Sequence, residues 1–231
     1  MRPAPRWLKW LIAAPLIALL LLQLWFGGWL LWWKWVDPGT TRFMRLRLAE
    51  LRERDAGAQL AQQWIAYERI SPHLKRAVVA AEDDRFVDHE GFDWQSMQKA
   101  LEKNQQRGRQ VAGGSTITQQ LAKNLFLTPA RTPWRKAQEA AITLMIEALW
   151  DKRRTLEVYL NVVEWGEGIF GAEAAARHYY RSGADRLSAE QAARLAVMLP
   201  APRRYGRNPY SAWMNQRTQA ILGRMQHTAI P

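Results

Sequence analysis

The chain has 231 residues, 48% of them hydrophobic, no cysteine, and a formal net charge of +12 from 33 Lys and Arg against 21 Asp and Glu. This length suits one globular domain with an additional segment, and the absence of cysteine excludes disulfides, thiolate metal sites and thiol catalysis. So positive a charge predicts an anionic partner, which could be nucleic acid, anionic lipid headgroups or a phosphorylated substrate.

The N-terminal segment predicts a membrane anchor. Residues 10–33 carry no charge, and Gln23 is their one strongly polar member. About 20 apolar helical residues span a hydrocarbon layer of ~30 Å. A cleaved signal peptide has a shorter apolar run that ends in small residues, whereas this run ends in Trp, which favours membrane–water interfaces. We therefore predict a short cytoplasmic tail over 1–9 and a transmembrane helix over 10–33. Basic residues flank both ends, so the positive-inside rule leaves the orientation open.

The rest of the chain divides into a juxtamembrane segment over 34–70, with a charged helical stretch at 42–69, and one mainly helical domain over 71–231. No clear alternation of period two, which would indicate strands, appears. Helix starts are predicted at Ser71, which precedes a proline, and at two capping boxes that begin at Thr116 and Ser188. Further helices are predicted over 95–106, 134–150, 155–163, 170–181, 188–199 and 211–227.

A cluster of acidic residues directly follows the apolar run 77–81. Glu82 and Asp83 would then stand where a buried helix ends, at the edge of the core. Partial desolvation there raises the pKa of a carboxylate and makes it a better base. A solvated acidic helix end is the common alternative for such a cluster, and His89 alone is more typical of a structural hydrogen bond than of a metal ligand.

Two basic clusters follow. A glycine pair opens onto the helix that begins at Thr116, which favours anions. Gln120, Lys123 and Asn124 share one face of this helix, a polar surface suited to sugar hydroxyls and phosphate. Arg135 and Glu139 are i, i+4 neighbours at the start of a largely apolar helix, although an ordinary surface ion pair would have the same spacing.

In combination, these clusters resemble the glycosyltransferase domain of peptidoglycan synthases. The elements that carry the resemblance cover about residues 70–205, and they are Glu82-Asp83-x-x-Phe86-x-x-His89-x-Gly91, Gly114-Ser115-Thr116-Ile117-Thr118-Gln119-Gln120-Leu121-x-Lys123-Asn124, Arg135-Lys136-x-x-Glu139 and Leu156-Glu157-x-Tyr159-Leu160-Asn161. The 203–209 segment fits the last family element only loosely. The length leaves no room for a penicillin-binding transpeptidase domain, so the expectation is a monofunctional enzyme.

The resemblance implies a lysozyme-like helical fold and an inverting transfer. Glu82 would act as the general base on the 4-hydroxyl of the acceptor N-acetylglucosamine, and undecaprenyl pyrophosphate would leave the donor N-acetylmuramic acid. Lys123 and Arg135 would stabilise this anionic leaving group, and Glu139 would orient them or help hold a divalent cation. The implied site residues are catalytic Glu82 and Glu139 and substrate-binding Asp83, Phe86, Thr116, Gln120, Lys123, Asn124 and Arg135.

The same resemblance implies the surroundings of the enzyme. Its partners would be lipid II, the growing lipid-linked glycan strand, membrane lipid and other cell-wall synthesis proteins, with no nucleic acid. No cofactor is required, and Mg²⁺ or Mn²⁺ assists pyrophosphate departure in some family members, although the sequence shows no closed metal site. The implied location is the bacterial inner membrane, single-pass, with the catalytic domain on the periplasmic face.

Two other functions remain open at this stage. A membrane-anchored lytic enzyme would cleave the same glycan with acidic residues in a cleft, but would leave Lys123 and Arg135 without a purpose. A non-catalytic module could bind nucleic acid through its positive charge. The basic residues of this sequence are spread along the chain, however, and form no recognisable nucleic-acid-binding motif.

Overall fold

The computed structural model describes residues 6–109, 113–130 and 132–231, so residues 1–5 of the expected cytoplasmic tail lie outside it. The described chain is mainly helical, as predicted. Its α-helices are α1 (Arg6–Trp33), α2 (Arg42–Arg52), α3 (Pro72–Glu82), α4 (Trp94–Arg107), α5 (Ile117–Phe126), α6 (Pro133–Leu149), α7 (Lys152–Val162), α8 (Ala172–Tyr180), α9 (Ala189–Met198), α10 (Pro202–Tyr205) and α11 (Ala212–Met225).

Helix α1 contains the predicted anchor. Within the described residues, Ala13–Trp33 is the one stretch that is long and apolar enough to cross a membrane. Most of this surface is exposed, but Phe26 and Leu30 are buried against the rest of the chain. The C-terminal end of α1 therefore packs on the domain that follows it.

The prediction of a helical stretch over 42–69 is wrong beyond α2, which ends at Arg52. The side chain of Asp55 accepts a hydrogen bond of 2.9 Å from the backbone N–H of Gly57, and this turn replaces the next helical turn. The chain then runs through a short strand to a 3₁₀ turn at Tyr67–Arg69. Local turn chemistry thus overrides the weak helical pattern.

Side chains of α7 hold this extended segment in place. The Asn161 side chain accepts from the backbone N–H of Ile65 and donates to its carbonyl, each at 2.9 Å. Glu157 accepts from the backbone N–H of Tyr67 at 2.9 Å. The pair at positions 157 and 161, which stands out in the sequence, therefore has a structural role in joining the segment to the domain.

The structure also contains a small sheet that the sequence does not predict. Strands β1 (Ala61–Gln62), β2 (Glu164–Gly166) and β3 (Ile169–Phe170) lie in the order β1-β3-β2, with β1 parallel and β2 antiparallel to β3. Each strand has two or three residues, and every residue of β2 and β3 is buried. Strands so short and so buried show no alternation of polar and apolar residues.

Two groups of helices flank the region where the acidic and basic clusters meet. Helix α3 packs against α9 and α11, whereas α5 packs against α6 and α7. The predicted helix starts at Ser71, Thr116 and Ser188 are confirmed, the last two as complete capping boxes. Asp83, which follows α3, accepts a hydrogen bond of 2.9 Å from the backbone N–H of Ile117 at the start of α5. This contact joins the two groups of helices.

Candidate active site

Glu82 is the last residue of α3 and lies where the two groups of helices meet. Its side chain is partly buried and accepts a hydrogen bond of 2.7 Å from the Gln120 amide. Burial raises the pKa of Glu82 above its ordinary value, while the Gln120 hydrogen bond and the charge of Lys123 lower it in part. The result is a carboxylate that is poised to accept a proton.

The Gln120 amide is oriented from behind by Tyr159. The hydroxyl of this buried tyrosine donates to Gln120 Oε1 at 2.9 Å, which leaves Gln120 Nε2 to donate to Glu82. Burial, reinforced by the negative charges of Glu82 and Asp83, raises the pKa of Tyr159 well above its ordinary value. The tyrosine therefore stays protonated and remains a donor at neutral pH.

Lys123 lies one helical turn after Gln120, on the same face of α5, as predicted. Burial and the neighbouring Arg135 and Lys136 lower the pKa of Lys123, and the carboxylates of Glu139 and Glu82 raise it in part. Among the residues that the structure describes, its ammonium group has no hydrogen-bond or ion-pair partner. It is thus a partly desolvated cation between two carboxylates, with its donors free for a ligand.

The first turns of α6 carry a compact ion cluster. Glu139 is 3% exposed, and its two carboxylate oxygens accept from Arg135 and Lys136 respectively. The Glu139 carbonyl accepts a hydrogen bond of 2.8 Å from Thr143, which fixes this part of the helix. The predicted pair of Arg135 with Glu139 is therefore present, and Glu139 holds both cations at the edge of a cavity.

This cavity, which we call the cationic cavity, has a volume of about 650 Å³. Four cationic and two anionic side chains contribute to its wall, so that it carries a net positive charge. They are Arg47, Lys123, Arg135, Lys136, Glu139 and Glu164. A concave, net positive surface beside a carboxylate of raised pKa can bind a polyanionic group next to a base.

A second cavity of about 570 Å³ is lined by Glu82, and we call it the aromatic cavity. It shares Ser115, Gln120 and Pro200 with the cationic cavity. Tyr205 and Trp213 line it and stack on each other with ring centroids 4.9 Å apart. Trp213 is 47% exposed, so part of its ring is open to a ligand. Glu82 thus faces a surface suited to sugar rings, close to a surface suited to anions.

Comparison with known proteins agrees with this geometry. The model of a family described as transglycosylase matches residues 49–226. The chain belongs to the transglycosylase family. Similar curated proteins, each named biosynthetic peptidoglycan transglycosylase, come from Dechloromonas aromatica (62% identical), Azoarcus sp. (59%) and Laribacter hongkongensis (58%). The alignments cover 97–98% of this chain and 97–100% of the three relatives. All the predicted site residues lie within the matched region.

The structure brings most of the predicted site residues of this transglycosylase to one place. Gln120, Lys123, Asn124, Arg135 and Glu139 line the cationic cavity, and Glu82 lies beside them in the aromatic cavity. The amide of Asn124 donates to the carbonyl of Gln120 at 2.8 Å and so stiffens the polar face of α5.

Three predicted substrate-binding residues are instead buried and line neither the cationic nor the aromatic cavity. Phe86 is 0% exposed, and Lys152 lies over its ring. Thr116 caps α5 and donates to the carbonyl of Gly91 at 2.7 Å. Asp83 accepts from His89 at 2.8 Å in addition to its bond to α5. These contacts use the polar atoms of Thr116 and Asp83 within the protein.

Sequence reasoning missed the wall of the cationic cavity that lies opposite α5. Arg47 of α2 donates to Glu164 of β2 at 3.3 Å. Burial raises the pKa of Glu164, and the positive charges of Arg47 and Arg203 lower it in part. Positions 47 and 164 are far apart in the sequence, so no local pattern links them.

The site does not provide a metal-binding set. Across residues 6–109, 113–130 and 132–231, no group of three or more His, Cys, Asp or Glu side chains could hold an ion. Both oxygens of Glu139, the carboxylate considered for Mg²⁺ or Mn²⁺, already bind cations from Arg135 and Lys136. The described residues alone therefore do not fit a divalent ion.

Proposed function

We propose that this transglycosylase polymerises the glycan strands of bacterial peptidoglycan. It would transfer the growing lipid-linked chain onto the 4-hydroxyl of lipid II and release undecaprenyl pyrophosphate. The observation that carries this proposal is the position of Glu82, a carboxylate of raised pKa, next to the cationic cavity. A polymerase of lipid-linked sugars needs both features, because it must activate a hydroxyl and stabilise a departing pyrophosphate.

Glu82 is the general base in this proposal. It takes the proton of the acceptor 4-hydroxyl as that oxygen forms a bond to the anomeric carbon of the donor. The bond from the anomeric carbon to the pyrophosphate oxygen breaks on the opposite side, so that the configuration inverts. The hydrogen bond from Gln120 favours the ionised form of Glu82, whereas burial makes its carboxylate more basic.

The cationic cavity receives the leaving group. Lys123 points free donors into the cavity, and Glu139 holds Arg135 and Lys136 in fixed positions. Cations that are already in place stabilise developing negative charge without reorganisation during the reaction. We assign Glu139 to this positioning task, and Asp83, Phe86 and Thr116 to the support of α3 and α5 beneath the site.

The aromatic cavity would hold a sugar of the glycan. Indole and phenol rings stack on the apolar faces of sugars, and the partly exposed ring of Trp213 lines the same cavity as Glu82. The two cavities adjoin at Gln120, so they would place donor and acceptor next to each other and close to the base, in an orientation that favours attack.

The location follows from the substrate. Helix α1 is compatible with a single-pass anchor in the inner membrane, and a lipid-linked substrate has its pyrophosphate at the membrane surface. We place the catalytic domain on the periplasmic face, where glycan strands are assembled. There it would meet membrane lipid and other cell-wall synthesis proteins.

One assay distinguishes this function from lysis of the same polymer. Purified full-length protein is incubated in liposomes either with lipid II or with preformed uncrosslinked glycan, and products are separated by length. A polymerase joins lipid II units into glycan strands and leaves preformed glycan intact. Shortening of preformed glycan without use of lipid II would overturn the proposal in favour of a lytic enzyme.

A further inference from the structure

The anchor helix makes a specific polar contact with the helix that carries the cation cluster. Gln23 Nε2 donates a hydrogen bond of 2.9 Å to Gln138 Oε1. Gln23 is the one strongly polar residue of the apolar run, and Gln138 is 6% exposed and directly precedes Glu139. The bond therefore joins α1 to the part of α6 that holds Arg135 and Lys136.

This contact is the first of four along one stripe of α1. Phe26 packs edge-on against Phe126 with centroids 5.0 Å apart. The carbonyl of Leu30 accepts a hydrogen bond of 2.8 Å from the Trp150 indole N–H. The carbonyl of Trp33 accepts two hydrogen bonds from the Arg154 guanidinium, of 2.8 Å and 3.1 Å. The spacing of 23, 26, 30 and 33 is that of a helix–helix seam, so α1 is docked on the domain and is not a loose tether.

Of these four contacts, only the bond at Gln23 reaches the N-terminal half of α6. Trp150 directly follows α6, Arg154 lies in α7 and Phe126 ends α5. The other contacts would keep α1 attached if the bond at Gln23 were lost. They would not restrain the first turns of α6, where the ion cluster lies.

A contribution to stability alone does not explain why position 23 is a glutamine. Its Oε1 is buried and has no hydrogen-bond partner among the described residues. A polar group in an apolar helix is unfavourable unless it is paired, and here one of its two polar ends stays unpaired. A leucine would fill this place with no such loss, which indicates that the amide serves the position of its partner.

We infer that Gln23 of the membrane anchor is a positioning residue for the reaction, which acts through Gln138 to hold the first turns of α6 and their cations at the cationic cavity. This inference rests on the proposed function. Gln23 does not touch the substrate. It fixes the depth of the ion cluster relative to the anchor, and therefore relative to the membrane surface at which a lipid-linked pyrophosphate lies.

The test compares Gln23→Leu with two matched variants of full-length protein in nanodiscs. Leu24→Ala changes the neighbouring, 61% exposed side chain of the same helix, and Trp150→Phe removes the hydrogen bond to Leu30 at the far end of the seam. Amide exchange of residues 136–142 and steady-state kinetics on lipid II are measured for each. For Gln23→Leu we expect exchange about 10-fold faster and kcat about 10-fold lower, at an unchanged or raised Tm. Both control variants should exchange like wild type in this segment.

A double-mutant cycle completes the test. If the two amides act through their mutual bond, kcat/KM of the Gln23→Leu/Gln138→Leu double variant should equal that of the single variants. Multiplied losses would overturn the inference, as would unchanged exchange of residues 136–142 in Gln23→Leu. Wild-type protein that fails to polymerise lipid II would overturn the proposed function instead, because amide exchange reports the contact independently of activity.

Discussion

Replacing Gln120 by leucine should shift the acid limb of the profile of kcat/KM against pH to higher pH. Gln120 donates the one side-chain hydrogen bond that stabilises ionised Glu82 in the described structure. Leucine cannot donate, so the neutral form of Glu82 gains relative to the ionised form. The pKa of Glu82, already raised by burial, then rises further. Because the base must be ionised to accept a proton, activity at neutral pH falls more than activity at alkaline pH.

The magnitude follows from the strength of this bond. A hydrogen bond to a charged group contributes about 1.5–3 kcal/mol, and a pKa unit corresponds to about 1.4 kcal/mol. Full loss would shift the limb by about 1–2 pH units. The side chain of Glu82 is only partly buried, and water can replace part of the bond. We therefore expect about one unit.

The assay is the initial rate of lipid II polymerisation at low substrate concentration, from about pH 5 to pH 9, since kcat/KM reports groups of the free enzyme. Tyr159→Phe is the matched control, because it removes only the donor that orients Gln120. It should shift the limb in the same direction by less. A Gln120→Leu enzyme with reduced activity at every pH and an unmoved acid limb would refute the assignment of Glu82 as the titrating base.

Three further predictions test the support of the site. Glu139→Gln should lower kcat by about 100-fold, since Arg135 loses its ion-pair partner; a loss confined to KM would contradict this. Trp213→Ala should raise KM about 5-fold at unchanged Tm, because it removes the stacking ring. Trp213→Phe should have a KM close to that of wild type, and an equal rise in KM for both variants would argue against stacking. Asp83→Asn should weaken the junction to Ile117 by about 2 kcal/mol and lower Tm by about 5 °C; an unchanged calorimetric transition would show that the junction is not stabilising.

The sequence was informative wherever a function depends on neighbours along a helix. The capping box at Thr116 predicted the start of α5, and the spacing of Gln120, Lys123 and Asn124 predicted their common face. Likewise, the i, i+4 spacing of Arg135 and Glu139 predicted their ion pair. Each of these features is decided within one or two helical turns, where the chain geometry is fixed by the helix itself.

Features that depend on long-range packing could not be predicted in this way. Phe86 stands in a largely charged segment of the sequence, but the fold buries it completely. Arg47 and Glu164 meet only because the fold brings α2 and β2 to the same cavity. The strands have no periodic signal, and the bond between Gln23 and Gln138 requires the anchor to dock on α6. Local pattern carries no information about such contacts.

The most direct test of the account is lipid II polymerisation by Glu82→Gln in liposomes, with Glu90→Gln as control. Glu90 is an exposed carboxylate of the same acidic segment. The amide keeps the shape of Glu82 but cannot accept the proton, so we expect a loss of at least about 100-fold in kcat, with folding and lipid II binding retained. Glu90→Gln should polymerise like wild type. A folded Glu82→Gln enzyme that makes glycan strands at the wild-type rate would contradict the central claim that Glu82 is the base.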